Sequence, residues 1–138
     1  MKLAIIPARG GSQRIKNKNI RDFCGKPLIA WTIEQAKAAP SITEIFVSTD
    51  DHEISTVSER FGASVVMRPK VISQDYSSSE EALLHALNTI CKDPLKPVDL
   101  VVFLQATSPL REPGDIENAI RYFQETGCDS LFSGTCIE

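Results

Sequence analysis

Read from the N-terminus, apolar residues arrive in short continuous runs that alternate with longer stretches of helical spacing. Leu3 to Ile6 is an apolar run closed by Pro7, the pattern of a strand buried on both faces. Leu28, Ile29, Ile33 and Ala36 then fall on one face of a helix predicted over 28–39, with Trp31 at its margin and Pro40 as its stop. A strand follows at Glu44–Ser48, and then a helix over 51–61 that Ser48-Thr49-Asp50-Asp51 can cap and Gly62 ends. The next strand, 63–67, is closed by Arg68-Pro69. After a polar loop over 70–79 come a helix at 79–91, a proline-broken connection, and the most apolar strand of the chain within 99–105. Pro113 opens a last helix that runs to Thr126, and a further strand is expected at Asp129–Ser133.

Strands that alternate with helices of this length imply right-handed βαβ units. The expected fold is therefore α/β, a Rossmann-like, mostly parallel sheet with helices on both faces, in a single domain over 1–138. Parallel strands point their C-terminal ends the same way, so the loops at 7–19, 48–51, 67–79 and 105–111 should converge on one edge. In open α/β sheets ligands sit at that edge.

Composition adds limits. A chain of 138 residues with 42% hydrophobic and 24% charged residues has the make-up of one soluble globular domain with a sizeable core. It has no apolar run of membrane-spanning length and no signal-peptide pattern, so a cytoplasmic protein with no membrane partner is expected. Cys24, Cys91, Cys128 and Cys136 are scattered without a C-x-x-C pair, and they read as reduced, mostly packed thiols.

Charge changes the picture more. The chain carries 15 basic and 18 acidic residues, yet Arg9, Arg14, Lys16, Lys18 and Arg21 follow one another with no acid between them. Without these five, 10 basic residues face 18 acidic ones. Positive charge is thus concentrated where the first strand ends, beside Gly10 and Gly11, whose backbone can approach an anion closely. This reads as a polyphosphate cradle, with a solvated basic loop or nucleic-acid contact as its alternatives. It is neither a Walker loop nor the three-glycine dinucleotide fingerprint. The mild overall acidity argues against nucleic acid as a partner.

Several stretches taken together resemble the acylneuraminate cytidylyltransferases, the CMP-sialic acid synthetase family. They are Ile6-Pro7-Ala8-Arg9-Gly10-Gly11-Ser12 with Arg14-Ile15 and Lys18-Asn19, Phe23-x-Gly25-Lys26-Pro27-Leu28, Ser48-Thr49-Asp50, Arg68-Pro69, and Leu104-Gln105-x-Thr107-Ser108-Pro109-Leu110-Arg111. The resemblance runs from residue 2 to about residue 133, in the family's order. It implies transfer of CMP from CTP to the anomeric hydroxyl of a nine-carbon 2-keto sugar acid, with Mg²⁺ and release of pyrophosphate. By the same resemblance Arg9, Gly10, Gly11, Ser12, Lys18 and Asn19 hold the CTP phosphates, and Arg9 and Lys18 stabilise the transition state. The Ala8 backbone and Arg68 read the cytosine, with Ser79 nearby, and Gln105 meets the sugar acid. Legionaminic or pseudaminic acid is the alternative substrate, and a nucleotide-binding fragment without catalysis the alternative function. Kdo ranks lower, because Kdo synthetases tend to carry an acidic motif where this chain has Gln105-Ala106-Thr107-Ser108.

The resemblance also implies what this stretch lacks. Family members run on past this length, and their Mg²⁺ ligands, homodimerisation region and further sugar contacts are expected beyond residue 138. The chain is accordingly expected to be an N-terminal portion that binds CTP weakly and turns over poorly. Gln13 and Ala106 depart from the family's frequent Lys and Pro. Asp50 and Asp51 are read as helix caps and not a metal pair. Asp75 is read as a loop brace and Arg111 as a loop anchor. His52, His85 and Trp31 are read as surface or packing residues. A structural role remains open for Gln105 in its turn and for Arg68 in a salt bridge.

Overall fold

The computed structural model describes residues 1–12, 14–73, 78–92 and 97–134. The first strand, β1 (Lys2–Pro7), is buried throughout its centre, as its unbroken apolar run requires. A two-residue hairpin, β2 (Asp22–Phe23) with β3 (Lys26–Pro27), leads into α1 (Leu28–Lys37). Cys24 and Gly25 form its tip at φ values of 53° and 95°, the paired left-handed turn that suits the twist of an antiparallel hairpin. There follow β4 (Glu44–Thr49), α2 (His52–Arg60), β5 (Ser64–Met67), α3 (Ser79–Ile90), β6 (Leu100–Phe103) and α4 (Asp115–Thr126).

The four long strands form a parallel sheet in the order β5-β4-β1-β6. Side chains alternate across β1, which separates the core into two layers. Ala4 and Ile6 face α1, α2 and α4 through Ile29, Ile33, Ile54, Ile116 and Ile120. Leu3 and Ile5 face α3 through Ala86, with Leu83, Leu87 and Ile90 packed around them. Helices thus cover both faces. Because β4 lies on one side of β1 and β6 on the other, strand order reverses between β1 and β6, and the C-terminal crevice opens there.

Local chemistry fixes the helix ends. Asp51 caps α2, its carboxylate accepting the amides of Glu53 and Ile54 at 2.8 and 3.0 Å. Ser78 and Glu81 cap α3 reciprocally, a capping box. Gly114, at φ 89°, starts α4 two residues later than the proline-based expectation, since that conformation lies outside the helix. Glu117 on α4 then accepts the amide and hydroxyl of Ser41 at 2.9 and 2.6 Å, fastening α4 to the connection before β4.

Two expectations are corrected. Residues 129–133 form no strand: none of the described residues pairs with them, and Leu131 and Phe132 are 42% and 92% exposed. A strand is stable only with a neighbour to take its hydrogen bonds. The thiols are also less packed than expected. Cys24 and Cys91 are exposed, one at the hairpin tip and the other closing α3, while Cys128 is half-buried and Cys136 lies outside the described residues. Asp99, at the N-terminal end of β6, pairs with the Met1 ammonium group, at the opposite end of the strand from the crevice.

Candidate nucleotide site

Three loops meet at the C-terminal edge of the sheet, and main-chain hydrogen bonds weld them. The Ala8 amide donates to the Ser48 carbonyl at 2.9 Å, and the Arg68 amide to the Thr49 carbonyl at 2.7 Å. Both bonds continue the parallel ladder beyond the strand ends, so β4 sits between the loops leaving β1 and β5. The Gly10 amide then donates to Asp50 Oδ1 at 3.0 Å, and the Ser12 amide turns back to the Gly10 carbonyl at 2.9 Å. A side chain at Gly10 would begin 2.6 Å from Asp51 Oδ2. Among the described residues nothing lies within 4 Å of the equivalent point at Gly11. The first glycine is therefore required for packing, and the second leaves the loop open.

The basic segment folds back onto this loop. Asn17 adopts a left-handed conformation (φ 53°, ψ 34°), and a 3-10 turn follows at Lys18–Ile20. Buried Asn19 donates its side-chain amide to the Arg9 carbonyl at 3.1 Å, and Ile20 packs against the larger core layer. The Asn19 contact thereby brings the turn that carries half-buried Lys18 back beside Arg9, while Arg14 and Lys16 stay exposed. Asn19 braces this region from inside.

Arg68 is 8% exposed, and its Nε has no hydrogen-bond partner among the described residues. Burial lowers its pKa from the ordinary arginine value, Asp50 opposes that shift, and the positive charge of Arg9 adds to it. Arg68 thus feels the charges of both Asp50 and Arg9. A buried donor left unpaired beside a basic loop is suited to a ligand's acceptor atom. Ser79 is exposed at the first turn of α3. Asp75, expected to brace the intervening loop, lies outside the described residues.

On the other side of the crevice, the Gln105 side chain is exposed, but its carbonyl is held. It accepts Arg111 Nη2 at 3.0 Å and the Ser108 amide at 3.2 Å. Arg111 Nη1 also donates to Thr32 Oγ1 at 3.2 Å and Gln35 Oε1 at 3.0 Å, while Gln35 Nε2 donates to the Pro109 carbonyl at 2.7 Å. Arg111 is the loop anchor that its position predicts, and burial lowers its pKa. The turn is fixed through the backbone of Gln105, which leaves its amide group available. Beside the anchor lies a cleft of about 290 Å³ lined by Phe23, Trp31, Leu110 and Arg111 among others, and by no residue of the basic loop. Trp31 packs there against the hairpin, donating to the Phe23 carbonyl at 2.7 Å with Lys26 over its ring.

Sequence reasoning missed Asp50 as a partner of the loop, and Thr32 and Gln35 as partners of Arg111. The latter pair had a usable signal: polar residues three apart on a helix otherwise facing the core. Among the described residues no three His, Cys, Asp or Glu side chains come together as a metal site. Asp50 and Asp51 are engaged by the Gly10 amide and the α2 cap. With their oxygens engaged in this way, these two residues do not fit Mg²⁺.

A parallel sheet with a glycine-bearing, basic loop at its switch point has the architecture of a nucleotide-handling α/β domain. A solved CMP:2-keto-3-deoxy-manno-octonic acid synthetase complexed with CTP superposes with a TM-score of 0.76 at 26% identity, over 91% of this chain and 48% of that one. The family model described as cytidylyltransferase matches residues 3–135, and the chain belongs to that family. A pseudaminic acid cytidylyltransferase of Campylobacter jejuni (strain 81-176) is 42% identical over 99% of this chain and 59% of its own length. A CMP-N,N'-diacetyllegionaminic acid synthase of Legionella pneumophila is 41% identical over 91% of this chain and 54% of its own length. The chain therefore spans between half and three-fifths of the length of these curated relatives.

Proposed function

We propose that this chain is the nucleotide-binding part of an enzyme that activates a nonulosonic acid as its CMP derivative. The anomeric hydroxyl oxygen of the sugar acid attacks the α-phosphorus of CTP and gives up its proton to water, the bond to the β-phosphate oxygen breaks, and pyrophosphate leaves. Arg9 and Lys18 neutralise the charge that develops on the phosphates, and the Gly11 amide, between a Gly10 amide given to Asp50 and a Ser12 amide given to the Gly10 carbonyl, donates to them. Asn19 acts through the Arg9 carbonyl it holds. Buried Arg68 donates to the cytosine with help from the Ala8 backbone and Ser79, and exposed Gln105 meets the sugar acid. The observation that carries this reading is the meeting of the Arg9–Ser12 loop, the turn at Lys18–Ile20 and buried Arg68, its Nε without a partner among the described residues, at the C-terminal edge of the sheet. Pseudaminic acid is the favoured substrate, on the similarity to the Campylobacter relative, with legionaminic and sialic acids next.

Calorimetric titration with CTP, UTP, ATP and GTP tests the nucleotide half. We expect CTP-selective binding in the wild type, and at least about tenfold weaker binding in Arg9→Ala and in Lys18→Ala, the loss anticipated for a charged hydrogen bond. Equal binding of all four nucleotides would reduce the site to a phosphate loop. Pyrophosphate release with each sugar acid in turn ranks the substrates, and its absence with every one would favour a nucleotide-binding module without catalysis.

A further inference from the structure

We propose that Asp50 is the positioning residue of the nucleotide site. Its carboxylate holds the Gly10 amide of the loop after β1 at 3.0 Å, and it directly follows Thr49, whose carbonyl takes the Arg68 amide at 2.7 Å, so one residue sets both the loop backbone and the segment that carries the buried arginine. This inference rests on the CTP reading above. The placement is specific. Ser48 and Thr49 spend their carbonyls on Ala8 and Arg68, so β4 is bonded to the loops on both sides, and Asp50 is the next residue outward. Helix capping does not account for it, because Asp51 supplies that cap and Asp50 Oδ1 is given to Gly10.

A carboxylate beside an anion site repels the ligand, so its presence calls for an offsetting role. The site contains such a role. Arg68 is nearly inaccessible and lies within the field of Arg9. Two cations of which one is desolvated repel strongly unless an anion stands near them. With Asp50 in place, Arg68 stays beside the loop with Nε unpaired; without it, the guanidinium gains by leaving for solvent. Asp50 thus acts on the nucleotide without touching it, through Gly10 for the phosphates and through Arg68 for the base.

Two variants separate these effects. Asp50→Asn keeps an oxygen for the Gly10 amide and removes the charge; Asp50→Ala removes both. Each is compared with the wild-type chain for binding of CTP and of inorganic pyrophosphate by calorimetry. Exchange of the Gly10 amide by NMR and thermal stability are followed in parallel. Asp50→Asn should bind pyrophosphate at least as tightly as the wild type while CTP binding weakens about tenfold, the scale of a lost charge-assisted contact. In Asp50→Ala both ligands should weaken, and Gly10 should exchange about tenfold faster or more as its hydrogen bond is lost. Tighter binding of both ligands to Asp50→Asn would mark a bystander charge and overturn the proposal. So would a fall in stability with an unchanged ratio of CTP to pyrophosphate affinity, or unchanged Gly10 exchange in Asp50→Ala. A wild type that binds pyrophosphate without preferring CTP would instead sink the cytidine reading, and the Gly10 exchange would still decide whether Asp50 holds the loop.

Discussion

Gly10 and Gly11 are neighbours with opposite reasons for being glycine. A methyl at Gly10 meets the carboxylate that caps α2, whereas one at Gly11 meets none of the described residues within 4 Å. Gly10→Ala should therefore displace Asp51 and cost about 1 kcal/mol or more, the usual worth of an N-cap, as read by urea unfolding. Gly11→Ala should leave stability within about 0.5 kcal/mol and show its effect, if the loop cradles phosphate, only in pyrophosphate affinity. Arg111 makes a sharper case. Its fork reaches Gln105, Thr32 and Gln35 at once, a geometry that lysine cannot copy. Arg111→Lys should lower stability by about 1–3 kcal/mol through unsatisfied buried groups, measured by the same unfolding.

At the level of elements, α4 is held to the segment before β4 by Glu117 and Ser41, and this contact carries a pH signature. The hydrogen bonds from Ser41 lower the Glu117 pKa from its ordinary value of 4.5. A depressed carboxylate stabilises the fold above its unfolded pKa, and that contribution disappears as pH falls through the lower folded value. The difference in melting temperature between wild type and Glu117→Gln should accordingly be constant at neutral pH and shrink on acidification below 4.5. Elements of this kind were largely legible in the sequence. β1, α1, β4 and α2 stand where apolar runs, helical spacing, Pro40 and Gly62 place them, because buried parallel strands and amphipathic helices write their period into the chain. The expectation at 129–133 failed because a strand is a property of two segments, and no local pattern announces the second. The site divides in the same way. Arg9, Lys18 and Arg68 were marked by charge and position at strand ends, whereas Asp50 was invisible as a loop partner because Gly10 lies 40 residues away.

Across the whole molecule, a net charge of -3 coexists with a basic segment at the crevice. The net charge repels anions at long range, and the segment attracts them only within its own neighbourhood, so attraction should be screened readily by salt. Raising ionic strength from about 0.05 M to about 0.5 M should weaken pyrophosphate binding severalfold while leaving the urea midpoint nearly unchanged, since the core is apolar. A binding curve insensitive to salt would place the ligand elsewhere. The cross-connection between α1 and the Gln105–Arg111 loop has a bearing on any attempt to exchange acceptor preference among relatives. Grafting that loop alone from one scaffold to another would import an arginine whose hydrogen-bond acceptors stayed behind on α1. The unit that can be transplanted is discontinuous in sequence, and it includes Thr32 and Gln35.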